Sequence, residues 1–171
     1  RMETYPSGEE ALEAVGLASE GRRSSAARPG GGLMDTASVP DTEIEVIRRA
    51  WSAASRGDEN AFRLELHPAI EVVPFGAAME GKSYRGPDEV IRWWREEALA
   101  NWEIFQTIPE DFRRVGGKIL VTGRWHAWGK TSGVELEMPA TWIVEVREGK
   151  IIFWQTYTDR TEALEAVGLR E

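Results

Sequence analysis

Cysteine is absent from the 171 residues of this chain. No disulfide and no thiolate metal site can therefore form, and a reducing, bacterial-type cytoplasm is the compartment this fits. Histidine is scarce: His67 and His126 are the two in the chain. They are far apart, with no HxH or HxxxE spacing, so the sequence predicts neither a metal nor a cofactor. Basic side chains never run beyond two in a row, and 29 acidic against 21 basic groups leave a net charge of −8. Nucleic-acid binding rests on clustered Lys and Arg, so that partner is disfavoured. No apolar run approaches a membrane span and no signal-peptide pattern opens the chain, so no membrane partner is expected.

Aromatic bulk is what the chain does have. Eight tryptophans fall among 42% hydrophobic and 29% charged residues. That composition is globular, and each buried indole adds a large apolar area to the core.

One stretch occurs twice. Residues 4–17 read TYPSGEEALEAVGL and residues 156–169 read TYTDRTEALEAVGL, without gaps. The first copy is expected to make about two turns of helix, which would be marginal alone. The Gly-, Ala- and Ser-rich stretch after it reads as a linker. The expected organisation is a remnant of a preceding tandem domain at 1–19, a flexible linker at 20–40 and one domain at 41–171. The alternative is a natural start at Met34 with an extension before it.

Within 41–171, Thr42 and Glu45 form a capping-box pattern. Ile44, Ile47, Ala50, Trp51 and Ala54 then share one helical face, and Gly57 is placed to end that helix. Asp58 caps a second short helix carrying Phe62 and Leu66. Ile70, Val72 and Val73 are extended. Pro87, followed by Asp88 and Glu89, starts a third helix with a Val90, Ile91, Trp94 and Ala98 stripe. From Glu103 the period changes to two. Strands are predicted at 103–112, 118–128, 134–147 and from 150, with Gly116-Gly117 and Glu148-Gly149 as tight turns. Helices followed by an antiparallel meander make an α+β architecture.

The RGPDEVIRWW helix start, the strand pair around GRWHAWGKTSGVELE and the closing EVREGKIIFWQTYTDRTEALEAVGL resemble the SnoaL-like branch of the nuclear-transport-factor-2-like superfamily. The resemblance covers residues 41–170. It implies a conical, curved antiparallel sheet wrapped around three N-terminal helices, a cystatin-like α+β barrel. It also implies a central cavity for a small apolar ligand, and a homodimer formed through the outer sheet face. The superfamily spans polyketide cyclases, ketosteroid isomerases, dehydratases, hydrolases and non-catalytic binders, so the fold leaves function open. Where ketosteroid isomerases carry a base before a proline, this chain has Val73 before Pro74. Their helix-1 tyrosine falls near Ala50 or Trp51, and the cyclases' aspartate falls near Trp142. Neither chemistry carries over.

The remaining acid/base candidates are Glu137 and His126. A glutamate inside an apolar cavity gains a raised pKa and can exchange protons. Strand alternation places His126 with Arg124 on the outer face, and Glu135 and Glu137 likewise, unless a bulge at Pro139 flips the phase. His67 before Pro68 reads as a local cap or rim residue. Trp51, Phe75, Trp94, Trp125, Trp142 and Tyr157 are the ligand-lining candidates, with core packing as the bland alternative. The last strand is apolar in both phases, with Ile151, Phe153 and Tyr157 on one side and Ile152 and Trp154 on the other. That implies cover on both faces, a second subunit supplying one, while the closing helix shuts the cone. Three functions stay open: a small-molecule binder, an acid/base enzyme on an apolar substrate, and a dimerisation module with a filled pocket.

Overall fold

The computed structural model of the chain describes residues 38–169. The first copy of the repeat, and the linker up to residue 37, lie outside the described residues. Of the three expected linker residues that are described, Ser38 and Pro40 are exposed and Val39 is not. Val39 is buried against the main core, so the folded unit already includes it.

Helix α1 (Asp41–Ser55) buries Val46, Ile47, Ala50, Trp51, Ala53 and Ala54. It starts at Asp41, which puts Thr42 inside the first turn, and the capping box does not form. The Pro40 carbonyl accepts from the Glu43 and Ile44 amides instead. Glu45, the carboxylate of that pattern, lies 3.9 Å from Arg49 instead, and Glu43 pairs with Arg114 of a later strand. Gly57 ends the helix at φ +69°, a backbone that glycine adopts without steric cost. Helix α2 (Glu59–Leu64) is capped by Asp58, whose carboxylate accepts from the Ala61 amide at 3.0 Å. Leu66 already belongs to strand β1 (Leu66–Val73) rather than to this helix. A single 3-10 turn (Ala77–Glu80) and the two-residue strand β2 (Tyr84–Arg85) lead into α3 (Gly86–Trp93). Pro87 stands at its start, and the Glu89 carboxylate reaches back to accept from the Arg85 amide at 2.9 Å. A π-helical turn (Trp94–Ala98) extends α3.

Four long strands follow: β3 (Trp102–Val115), β4 (Lys118–Gly129), β5 (Glu135–Arg147) and β6 (Lys150–Tyr157). The six strands make one curved, unclosed sheet in the order β2-β1-β6-β5-β4-β3. The meander is antiparallel throughout, while β1 lies parallel to β6. This is the expected α+β arrangement of three helices against a sheet.

Paired positions alternate strictly between two faces. The inner face meets the helices through Phe105, Phe112, Ile119, Val121, Trp125, Trp142 and Val144. The outer face carries a second cluster in which Leu120 and Ile143 pack on Ala163 and Leu164 of helix α4 (Arg160–Ala166). Two expectations change here. The closing helix does not shut the cone; it lies on the outer face. There it packs against Phe153 and Tyr157 of the last strand. The phase of that strand also differs from simple alternation. The β5–β6 register runs Glu145 with Phe153 and then Val146 with Ile151, so Ile152 is an inserted bulge residue. The bulge puts Ile151 and Trp154 together in the main core.

Candidate functional site

The inner face is organised by rings in contact. Trp51 of α1 meets Trp142 of β5 at 4.8 Å between centroids, and Trp142 meets Trp125 of β4 at 6.1 Å. Trp125 meets Phe105 of β3 at 5.9 Å, and Phe105 meets Trp94 of the π turn at 5.6 Å. Trp94 meets Trp154 of β6 at 6.1 Å, and Trp154 returns to Trp51 at 5.8 Å. Six side chains from four strands and two helical segments thus close a circuit, in the tilted and edge-on geometries that aromatic quadrupoles favour. Phe75, 55% exposed on the loop after β1, extends the circuit outward by an edge contact with Trp125 at 6.4 Å. Trp125 and Phe105 are half-buried, whereas Trp51 and Trp142 are buried completely.

Hydrogen bonding separates the four buried indoles into two kinds. Trp94 Nε1 donates to the Ala54 carbonyl at 3.0 Å, and Trp154 Nε1 donates to the Thr156 hydroxyl at 3.0 Å. Trp51 Nε1 and Trp142 Nε1, the pair in closest ring contact, meet no acceptor among the described residues. The hydroxyl of Thr107, also buried, has no partner there either. Thr107 pairs in register with Trp125, so it shares the inner face with these rings. A buried polar group left unmatched costs roughly 1–3 kcal/mol, so a phenylalanine or valine would make a better purely structural core at such positions.

Charge is nearly excluded from this face. At the paired positions of β3 to β6 its one charged side chain is Arg114, beside the β3–β4 turn and paired with Glu43. The acid/base candidates stand on the other side. The β4–β5 register runs unbroken through Pro139, so no bulge turns Glu137 inward. Glu137 lies 3.5 Å from Arg124 on the outer face, and Arg124 also pairs with Glu110. His126 lies beside them, with Nε2 2.9 Å from Glu135 and Nδ1 3.3 Å from Gln106. Neither Glu137 nor His126 is brought to the aromatic circuit. His67 is a local turn residue: its Nδ1 accepts from the Ala69 amide at 3.0 Å.

Of the six lining candidates, Trp51, Trp94, Trp125 and Trp142 belong to the circuit and Phe75 adjoins it. Tyr157 does not. Its register with Thr141 places it on the outer face against α4, where burial and then the charge of Glu162 push its hydroxyl pKa up. Sequence reasoning passed over Thr107 and Tyr84. Thr107 looked like an ordinary strand residue, and only its register with Trp125 brings it inside. Tyr84 stacks on Trp93 at 5.4 Å and donates to the Glu97 carboxylate at 3.1 Å. Burial first, and that carboxylate second, raise its pKa, so it stands as a neutral phenol at the β2 edge. A separate recess of about 100 Å³ opens at the junction of α2 and α3, between Phe62, Ile91, Trp94 and Leu99. It is below the usual size of an organic-ligand pocket.

Comparison with solved structures identifies the fold. A ketosteroid isomerase-like protein from Catenulispora acidiphila, solved in complex with trimethylamine, superposes with a TM-score of 0.58 at 17% identity, covering 73% of this chain and 93% of its own. TerC, co-crystallised with polyporic acid, superposes at 0.60 with 16% identity over 74% of this chain and 98% of its own. A candidate SnoaL-like polyketide cyclase from Jannaschia superposes at 0.60 with 13% identity over 81% of this chain and 99% of its own. No family model matches the sequence, and no curated protein matches it. The chain has the NTF2-like fold shared by these proteins. No helix among the described residues is long and apolar enough to cross a membrane.

Proposed function

We propose that residues 41–171 form a SnoaL-like domain that binds a small apolar or aromatic molecule against the tryptophans of its inner face, without proton transfer by the protein. The observation that carries this reading is the closed aromatic circuit on a face whose paired strand positions hold neither carboxylate nor imidazole. Aromatic walls supply burial and shape, while the groups that acid/base catalysis needs point to the opposite face. Two proteins of this fold were solved with small organic molecules, trimethylamine and polyporic acid, which supports a binding role. The half-buried Trp125 and Phe105, next to the exposed ring of Phe75, are the expected point of entry.

Titration with fluorene, a rigid three-ring hydrocarbon, tests the reading. Saturable quenching of tryptophan emission is expected, with a one-to-one adduct in native mass spectrometry. Trp125→Ala should weaken it about tenfold or more, since a buried aromatic contact is worth over 1 kcal/mol. Equal affinity in wild type and Trp125→Ala would place the ligand elsewhere. The enzyme alternative would have to use Tyr84 and Glu97, the hydrogen-bonded pair at the rim.

Two further proposals concern organisation. The domain forms a homodimer through the part of the outer face that α4 leaves uncovered, around Ile104 and Trp128. Residues 1–19 are the footprint of a tandem neighbour, joined by a linker that ends before Val39.

A further inference from the structure

The recess at the junction of α2 and α3 shares only Trp94 with the aromatic circuit. We infer that it is a second binding site, for a small aliphatic ammonium ion whose hydrocarbon end is buried and whose charged head stays at the mouth. The site is independent of the inner-face ligand.

Volume and floor set the hydrocarbon end. Phe62, Ile91 and Trp94 are buried and Leu99 is half-buried. The Trp94 indole N–H is spent on the Ala54 carbonyl at 3.0 Å, so this wall shows a ligand no free donor. Water is held poorly in such a space, because it needs several polar partners. An apolar cavity of roughly 150 Å³ takes benzene, so the volume here, about 100 Å³, suits a compact group of about four or five carbons.

Charge at the mouth sets the head. The lining holds two carboxylates, Asp58 and Glu59, against one guanidinium, Arg95. Arg95 is shared between Glu59 at 3.0 Å and Glu96 at 3.2 Å, so its charge is already matched. Asp58 accepts from the Ala61 amide and makes no ion pair among the described residues. Backbone ends act in the same direction. Helix α1 ends at the recess with no basic residue in its last turn, and Arg56 just beyond it turns back to the Ser52 hydroxyl. The π-helical turn ends there as well, at Leu99. Helix C-termini carry partial negative charge and favour cations. The short α2 also starts here, but Asp58 caps it. An anion is therefore repelled at this mouth, and a neutral head gains nothing from its charge.

Four probes separate frame from head: isoamylamine, isoamyl alcohol, isovalerate and methylamine. At low salt the wild type should bind isoamylamine saturably in the millimolar range, about threefold to fivefold tighter than isoamyl alcohol, the usual worth of an exposed ion pair. Isovalerate should bind more weakly than the alcohol, and methylamine, lacking the hydrocarbon, should not saturate. Salt at about 1 M should bring amine and alcohol together. Asp58→Asn keeps a good cap on α2, so the fold is retained. It should erase the preference for the amine while leaving the alcohol close to wild type and fluorene binding unchanged. Leu99→Trp, which fills the recess, should abolish binding of both. In nitrogen-15 spectra the indole signal of Trp94 should shift with the amine, and that of Trp142 far less. Equal affinity for amine and alcohol, an amine preference that survives Asp58→Asn, or a larger shift at Trp142 than at Trp94 would overturn the inference. So would the absence of saturable amine binding.

Discussion

Glu71 shows how a single side chain on β1 is set by its neighbours. It faces outward opposite Arg85 of β2, and the Arg85 guanidinium donates to it at 3.3 Å. Hydrogen bonding from Ser83 is the largest influence and lowers its pKa; burial opposes it, and the hydrogen bond and charge of Arg85 add to the lowering, so the carboxyl stays below its ordinary range. A carboxyl whose pKa is lower folded than unfolded stabilises above its unfolded pKa, and that stabilisation fades as pH falls through the folded value. Glu71→Gln should therefore melt below wild type at about pH 7, with the gap closing as pH drops toward about 3. A gap that stays constant over this range would mean the loss is packing rather than charge. The same scale holds the site. Trp51, Trp94, Trp125 and Trp142 were legible from aromatic residues at helical and strand spacing. Which of their N–H groups lack acceptors was not, because that depends on the carbonyl of Ala54 and the hydroxyl of Thr156 arriving from elsewhere.

At the scale of elements, irregularities decide which face a side chain takes. The β3–β4 register slips between Pro109 and Asp111, and the strand bends there toward Gly123. A Cβ at Gly123 would run into the Ile108 carbonyl and the Pro109 backbone, which cannot swing aside. Gly123→Ala should cost roughly 1–3 kcal/mol in urea unfolding, the usual range for overpacking. Gly117→Ala in the neighbouring turn, where an added Cβ meets nothing within 4 Å, should stay within about 0.5 kcal/mol. Equal losses would show that the strain is not the steric one described. The strand boundaries themselves were readable from turn glycines and alternation. The bulges at Glu110 and Ile152 were not, because no local sequence feature marks where a partner strand forces an extra residue. Tyr157 pairs with Thr141, in unbroken register with Phe153, and so lies outside rather than in the aromatic circuit; the Ile152 bulge is why Ile151 lies inside with Trp154.

For the domain as a whole, the two sheet faces have separate fates. The helices cover the inner one. Helix α4 covers the outer one over Leu120, Ile143 and Phe153, and leaves Ile104 and Trp128 exposed beside Arg124 and His126. Large apolar groups amid polar neighbours are the composition of an interface. Trp128→Lys should therefore turn a wild-type dimer into a monomer in sedimentation analysis, with circular dichroism unchanged because the side chain is outside both cores. A monomeric wild type would refute the dimer.

Local chemistry in the sequence was enough to determine the order of elements, the tight turns and the α2 cap at Asp58. These follow from residues within one turn or one strand of each other, where hydrogen bonding and periodicity act without long-range help. The tertiary structure decided what distant residues do to one another. It closed six aromatic rings into a circuit, gave acceptors to two indoles and withheld them from two others, and carried the repeated closing helix to the outer face. Those outcomes depend on strand register and helix docking, and packing and charge fix them only when the whole sheet assembles.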